Sequence, residues 1–139
     1  MNIRPYQSGD YEKIAEMLRS EEMLDDEWDS RENFDSISVQ NKNNILVAED
    51  EKGIIGIILF FPFGNTAALG YQLIVKKEYR NRGIAKALLD EMIARLKARG
   101  VKKIAFDTYA DDDFLINFYS KRGFKKSSKN RVVFWKSIS

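Results

Sequence analysis

The sequence predicts a mixed α/β fold: a mostly antiparallel central sheet of about six or seven strands, flanked by about four helices. Three observations predict it. Two apolar, β-branched runs, Ile45 to Ala48 and Ile54 to Phe61, flank the polar connection Glu49-Asp50-Glu51-Lys52-Gly53, which reads as an antiparallel hairpin. A strand from Thr66 to Val75 leads into a helix from about Arg82 to Arg99 and then a strand from Val101 to Asp107, giving one parallel pair with a right-handed crossover. Tyr11, Ile14, Ala15 and Leu18 recur at helical spacing on one face.

Taken in order, Asn2 to Gln7 has the mixed polarity of an edge strand, where Pro5 is tolerated because an edge need not donate every N–H. Ser8 or Asp10 caps the first helix, which ends near Ser20. Ser20 to Ser36 carries eight carboxylates with Arg31 as its single cation, and reads as a loop and a short amphipathic helix. After the hairpin, Pro62 and Gly64 break the chain before the next strand. The long helix buries Ile84, Leu88, Met92 and Leu96, with Ala85, Leu89 and Ile93 beside them, and Gly100 stops it. A second helix, about Asp112 to Arg122, and two short strands around Phe124 and Val132 to Trp135 come next; the exposed edges of that terminal hairpin leave monomer and homodimer both open. With 139 residues and no repeats or linkers, residues 1–139 read as a single domain.

Composition excludes several chemistries. The chain has no His and no Cys, so it builds no Ser-His-Asp triad, no cysteine nucleophile, no zinc finger and no His-containing transition-metal site, and no metal is expected. The longest apolar run, Ile54 to Phe63, is broken by Gly56 and Pro62 and reads as a strand, not a membrane span. The N-terminus has no apolar run behind a basic start, so a cytoplasmic location is expected. A formal net charge of +2 hides an asymmetry: residues 1–70 sum to −8 and residues 71–139 to +10. That division suits a site with one cationic and one anionic ligand.

The anionic ligand has an evident place. In Leu73 to Leu89 an apolar strand enters a basic turn, and Gly83 stands where the helix begins, so unpaired amides of the first turn point outward at the positive pole. Gly83 lacks a Cβ and Ala85 is small, which lets a phosphate approach the main chain, while Arg80, Arg82 and Lys86 supply charge-assisted hydrogen bonds. The bland alternative is a capped helix with solvated cations. No P-loop pattern and no dinucleotide fingerprint is present. A second signal, Asp111 to Phe124, puts Phe114, Leu115, Phe118 and Tyr119 on one helical face, ended by Gly123; alone, it reads better as a helix with Tyr119 as a core aromatic whose hydroxyl is satisfied.

Together the two segments resemble the GNAT (Gcn5-related) N-acetyltransferase family. Arg80-Asn81-Arg82-Gly83-Ile84-Ala85 is similar to its Q/R-x-x-G-x-G/A acetyl-CoA motif, and Tyr119-Ser120-Lys121-Arg122-Gly123-Phe124 is similar to its Y-x-K-x-G-F segment. The order of elements matches over the whole chain. The resemblance implies the GNAT-type acyl-CoA N-acyltransferase fold, its sheet splayed where the strand holding Leu73, Ile74 and Val75 parts from its parallel neighbour. A pantetheine arm would fill that gap against the backbone of Leu73 and Val75. It implies further that the Leu73 N–H donates to the thioester oxygen, that Arg80, Arg82, Gly83, Ile84, Ala85 and Lys86 hold the pyrophosphate, and that Tyr119 protonates the leaving thiolate. A phenol of pKa about 10 suits a thiol of pKa about 8.5 to 10. The family often has Asn seven residues before the tyrosine and a small residue four before it; this chain has Asp112 and Leu115.

The acceptor side is open in the sequence. A primary amine is only about one part in a thousand neutral at pH 7, so a proton must leave before attack. Many family members place a carboxylate two residues before the thioester-binding amide; here Tyr71 stands there, followed by Gln72. The base is therefore a water relay from Tyr71 or a carboxylate from another element, with Glu22 and Asp107 as candidates. Residues 21–35 fall where the family often builds its acceptor wall, with Trp28 and Phe34 as an apolar or cation–π face; the alternative is a solvated acidic surface.

The expected activity is direct acetyl transfer from acetyl-CoA to a primary amine on a small molecule or peptide, with no covalent acetyl-enzyme because cysteine is absent. A non-catalytic CoA-binding sensor is the second reading. Nucleic-acid binding by Lys121, Arg122, Lys125, Lys126, Lys129 and Arg131 is not expected, because the acidic half would repel phosphate.

Overall fold

The β-branched runs on either side of Glu49-Asp50-Glu51-Lys52-Gly53 form the centre of a five-stranded sheet. Its strands are β1 (Asn2–Pro5), β2 (Ile45–Asp50), β3 (Gly53–Phe63), β4 (Ala67–Val75) and β5 (Lys103–Phe106), side by side in that order. Every pair is antiparallel except β4 with β5. The computed structural model describes residues 1–129 and 131–138, which divide into two units. The first, Met1–Asp107, holds the sheet and helices α1 (Tyr11–Ser20), α2 (Arg31–Gln40) and α3 (Ile84–Ala98); the second, Thr108–Ser139, holds α4 (Asp113–Ser120). No helix among the described residues is long and apolar enough to cross a membrane.

The face predicted for α1 is buried: Ile14, Ala15 and Leu18 are joined by Met17, and Ile14, Met17 and Leu18 form a core with Ile45, Val47, Ile57, Leu59 and Ile74 on one side of the sheet. Asp10 stands at the N-cap of α1 but does not cap it. Arg4 takes its carboxylate in a fork, Nη1 and Nη2 each 2.9 Å from an oxygen, and reaches Glu49 through Nε at 2.9 Å. Burial opposes the Asp10 charge, but Arg4 and the Gln7 N–H outweigh it and hold the carboxyl below its ordinary value. On the other side of the sheet α3 buries Ile84, Leu88, Leu89, Met92 and Leu96, as the spacing predicts. The helix comes close because Gly56 of β3 has no side chain: a Cβ there would lie 3.1 Å from Leu88 Cδ1.

The sheet is shorter than the sequence predicts. No strand forms at Phe124 or at Val132 to Trp135 among the described residues, so the terminal hairpin and its pairing edge are corrected. Val132, Val133, Phe134 and Trp135 are each more than 75% exposed, and an alternating pattern makes no strand without a surface to cover. The Phe124 N–H instead bonds the Tyr119 carbonyl at 3.2 Å, closing the end of α4.

Two irregularities set β4 apart from a regular strand. Pairing with β5 covers only Ala67 to Gly70, opposite Lys103 to Phe106, after which β4 continues to Val75 along β3 alone. Opposite β3, Gly70 pairs with Phe60 and Gln72 with Leu59, so Tyr71 is the extra residue of a β-bulge. Gly70 has a packing reason: a Cβ there would lie 2.5 Å from the Phe106 ring, which meets Phe60 edge-on with centroids 4.7 Å apart. Gly70→Ala is therefore expected to displace that ring and destabilise the fold by roughly 1–3 kcal/mol. A thermal melt checks this; an unchanged midpoint contradicts the ring placement.

Candidate functional site

The basic turn leaves the first amides of α3 open. β4 passes through a short 3₁₀ turn (Lys77–Tyr79) to Arg80, Asn81, Arg82 and Gly83. Asn81 and Gly83 both take left-handed backbone, at φ 64° and 79°, and Gly83 is the N-cap of α3 with no side-chain cap. The amides of Ile84, Ala85 and Lys86 thus have no carbonyl partner within the helix and lie at its positive pole. A Cβ built on Gly83 meets nothing within 4 Å, so space over the turn is open to a ligand of phosphate size.

The cations expected here surround the turn with their own partners. Arg80 Nε bonds the Val75 carbonyl at 3.0 Å and its Nη2 bonds Glu21 at 2.7 Å, which ties the turn to the end of α1. Lys86 pairs with Asp90 one helical turn on, at 2.6 Å, and the Arg82 guanidinium lies 5.2 Å from the centre of the Tyr79 ring. Both surface arrangements are solvated and weak enough to yield to a polyanion. Glu21 as the Arg80 partner is invisible in the sequence, being separated from it by 59 positions.

The second half of β4 offers main chain to the same open side. The Lys76 N–H bonds the Ile55 carbonyl of β3 at 2.8 Å. In an antiparallel ladder donors alternate sides, so residues 76 and 74 face β3, and Leu73 and Val75 face the side that β5 has left. The Val75 carbonyl is there taken by Arg80; the Leu73 N–H points to the gap. The β4–β5 pairing ends at Gly70 and Phe106, three residues short of Leu73.

Opposite the bulge lies a group that sequence reasoning missed. Tyr71 and Gln72 are consecutive, yet the bulge brings both against Asp29, in the turn before α2. That turn closes on itself: the Asp29 N–H bonds the Asp25 carbonyl at 2.9 Å and the Asp25 N–H returns to Asp29 Oδ2 at 2.8 Å. Ser30 then caps α2 by accepting from the Asn33 N–H at 3.1 Å. Asp29 is 0% exposed and its Oδ1 has no hydrogen-bond partner. Burial pushes its carboxyl above the ordinary carboxylate range, against the Asp25 N–H, the Tyr71 hydroxyl and Gln72, none of which closes a bond to Oδ1. The Tyr71 phenol is pushed up as well, by burial and then by the Asp29 charge.

Trp28 stacks on Tyr71 with ring centroids 6.0 Å apart and an interplanar angle of 25°. The two rings line a cavity of about 300 Å³ with Asn33, Ile37, Gln40, Leu59 and Phe61. Phe34, expected on the same wall, is instead 0% exposed in the core, edge-on to Tyr6 and Tyr11. Glu22 is exposed in the turn that closes α1, with left-handed backbone at φ 56°, and Asp107 is exposed beyond the end of β5. Neither is brought to Tyr71 by a contact seen among the described residues. No spacing in the acidic segment distinguishes Asp29 from its neighbours, because a turn has no period.

In the second unit Asp112 caps α4 by accepting from the Leu115 N–H at 3.1 Å. Tyr119 is buried, its ring 5.3 Å from those of Phe118 and Phe124. Burial, with the Asp112 charge adding to it, raises its phenol pKa, so the neutral form that a proton donor needs is favoured at neutral pH.

Residues 10–124 match the model of the acetyltransferase (GNAT) family. Among solved structures, the chain is similar to Ard1 from Thermoplasma volcanium, with 18% identity, 91% of this chain and 84% of that one covered, and a TM-score of 0.82. It is similar to the PaiA N-acetyltransferase of Thermoplasma acidophilum, solved with coenzyme A, at 24% identity, 93% and 92% coverage and a TM-score of 0.81. A transcriptional regulator from Bacillus halodurans C-125 matches at 25% identity, 96% and 99% coverage and a TM-score of 0.78.

Because burial lifts the Asp29 carboxyl above its unfolded value, its ionised form costs stability at neutral pH, and the cost fades as pH falls through the raised pKa. Asp29→Asn keeps an acceptor for the Asp25 N–H and removes the charge. It is expected to melt above the parent chain at pH 7, with the gap closing in acid, as paired thermal melts across pH will measure.

Proposed function

This chain belongs to the GNAT acetyltransferase family, and from that premise we propose that residues 1–139 act as one N-acetyltransferase domain that moves an acetyl group from acetyl-CoA directly to a primary amine. The observation that carries the reading is the continuity of β4 with the anion turn: an unpaired strand edge leads straight into outward-facing amides. The residues present fit the coenzyme, since Gly83 leaves the approach to those amides open and Arg80, Arg82 and Lys86 flank it in sequence. When bound, acetyl-CoA supplies an activated acetyl thioester.

The chain's own groups do the rest. Arg80, Arg82 and Lys86, with the amides of Ile84 to Lys86 behind Gly83, hold the diphosphate. The backbone of Leu73, Ile74 and Val75 aligns the pantetheine arm as an added strand. The Leu73 N–H donates to the carbonyl oxygen as negative charge grows there, and the Tyr119 hydroxyl gives its proton to the departing sulfur. The acceptor is a small-molecule or peptide amine.

Isothermal titration with acetyl-CoA tests the first step, and absence of binding at millimolar ligand overturns the proposal. With a panel of amines, CoA release that depends on an amine indicates an enzyme, whereas binding without release by any of them indicates a CoA-binding module. Tyr119→Phe is expected to lower kcat by roughly 10- to 1000-fold with acetyl-CoA affinity near that of the parent. Unchanged turnover would make Tyr119 a packing residue only.

A further inference from the structure

The cavity over Tyr71 has features that a generic surface hollow lacks. Its volume, about 300 Å³, is at the small end of ligand pockets and suits a ring-sized body. Its walls are largely apolar, from Ile37, Leu59, Phe61 and the stacked pair Trp28 and Tyr71, whose aromatic surfaces attract a cation. Behind Tyr71 lies a fully buried carboxylate with one unpartnered oxygen. Buried charges are retained at a cost, and with Oδ2 held by the Asp25 N–H, the open Oδ1 leaves one place for a proton donor that arrives from outside.

We propose that this cavity is the acceptor subsite for a primary ammonium carrying a ring-sized apolar body, and that Asp29, acting through the Tyr71 hydroxyl, draws off the ammonium proton. The proposal rests on the acetyltransferase reading for its catalytic meaning. The ammonium donates to the Tyr71 oxygen, and the Tyr71 hydroxyl turns toward Asp29 Oδ1. As one N–H bond breaks, its proton moves to the Tyr71 oxygen while the Tyr71 proton passes to Oδ1. The products are a neutral amine with a free lone pair, an unchanged phenol and a neutral carboxylic acid, which returns its proton to water after the product leaves. Asp29 is thus a positioning residue, and Tyr71 is the group that touches the acceptor.

The surroundings favour this direction of transfer. The groups that act most on the Asp29 carboxyl are Asp25, Tyr71 and Gln72, and the Arg31 guanidinium near this turn lies over the Tyr11 ring at 5.0 Å and pairs with Glu12. Tyr11, from α1, donates its hydroxyl to the Asp29 carbonyl at 2.6 Å, not to the carboxylate. Asp25 adds negative charge near Tyr71, which also favours a bound cation. An anionic or neutral acceptor would leave the Asp29 charge uncompensated.

The test is calorimetric titration of the full chain with 2-phenylethylammonium and with 2-phenylethanol, which has the same body without the charge. The ammonium is expected to bind at least tenfold more tightly. Asp29→Asn should reduce that preference to within about twofold, and so should Tyr71→Phe, which keeps the ring and its packing should the first variant fold poorly. Affinity for the ammonium should fall with pH as Asp29 protonates in the parent chain and stay flat in Asp29→Asn, a difference that a merely structural role would not produce. Equal binding of the two probes to the parent, or a preference that survives in both variants, overturns the proposal. Acetyl-CoA titrated into the same preparations separates the two readings: ammonium preference without coenzyme binding overturns the transferase reading alone, and coenzyme binding without ammonium preference overturns the subsite alone.

Discussion

A strand that outruns its neighbour leaves main-chain donors and acceptors that water or a ligand must satisfy. β4 does this beyond Gly70, where β5 stops, and most of the functional geometry of the first unit derives from that mismatch. The unpaired stretch keeps its shape because β3 holds its other edge to Val75, and the Lys76 N–H extends the ladder one residue further. The chain then turns through two left-handed residues into α3, so strand edge and helix pole are consecutive in sequence as well as adjacent in space. α3 is fixed in turn by its buried face and by its close approach to Gly56, so the turn that enters it starts from a packed element.

The bulge at Tyr71 is the second consequence of an irregular β4. A regular strand would send Tyr71 and Gln72 to opposite faces; the extra residue brings both to Asp29. Polar groups are thereby concentrated in a part of the core that apolar packing would otherwise fill. A buried carboxyl with one unsatisfied oxygen opposes folding.

The elements with strong periodicity were legible in the sequence. The hairpin of β2 and β3, the parallel crossover through α3, the buried faces of α1 and α3, and α4 with its closing Gly123 are all marked by apolar spacing and glycine placement. The start of α3 was legible too, because a glycine placed just before an apolar helical repeat marks a helix boundary, and Gly83 is the left-handed N-cap there. What escaped notice depends on tertiary register. The bulge needs knowledge of which β3 residue faces which β4 residue, and Asp29 differs from its acidic neighbours only in being folded inward. Phe34 was read onto the acceptor wall and lies in the core, since in a short helix one residue of rotation separates the two. The strands expected at the end of the chain had the right residue types but no surface to cover.

The most direct measurement is the amide spectrum of uniformly ¹⁵N-labelled protein titrated with acetyl-CoA. The Leu73 amide and those of Ile84, Ala85 and Lys86 are predicted to shift together along one binding curve, while Leu46 and Val47 at the sheet centre stay in place. Shifts that leave Leu73 and the first turn of α3 unmoved would contradict the assignment of the open β4 edge and its turn as the coenzyme site.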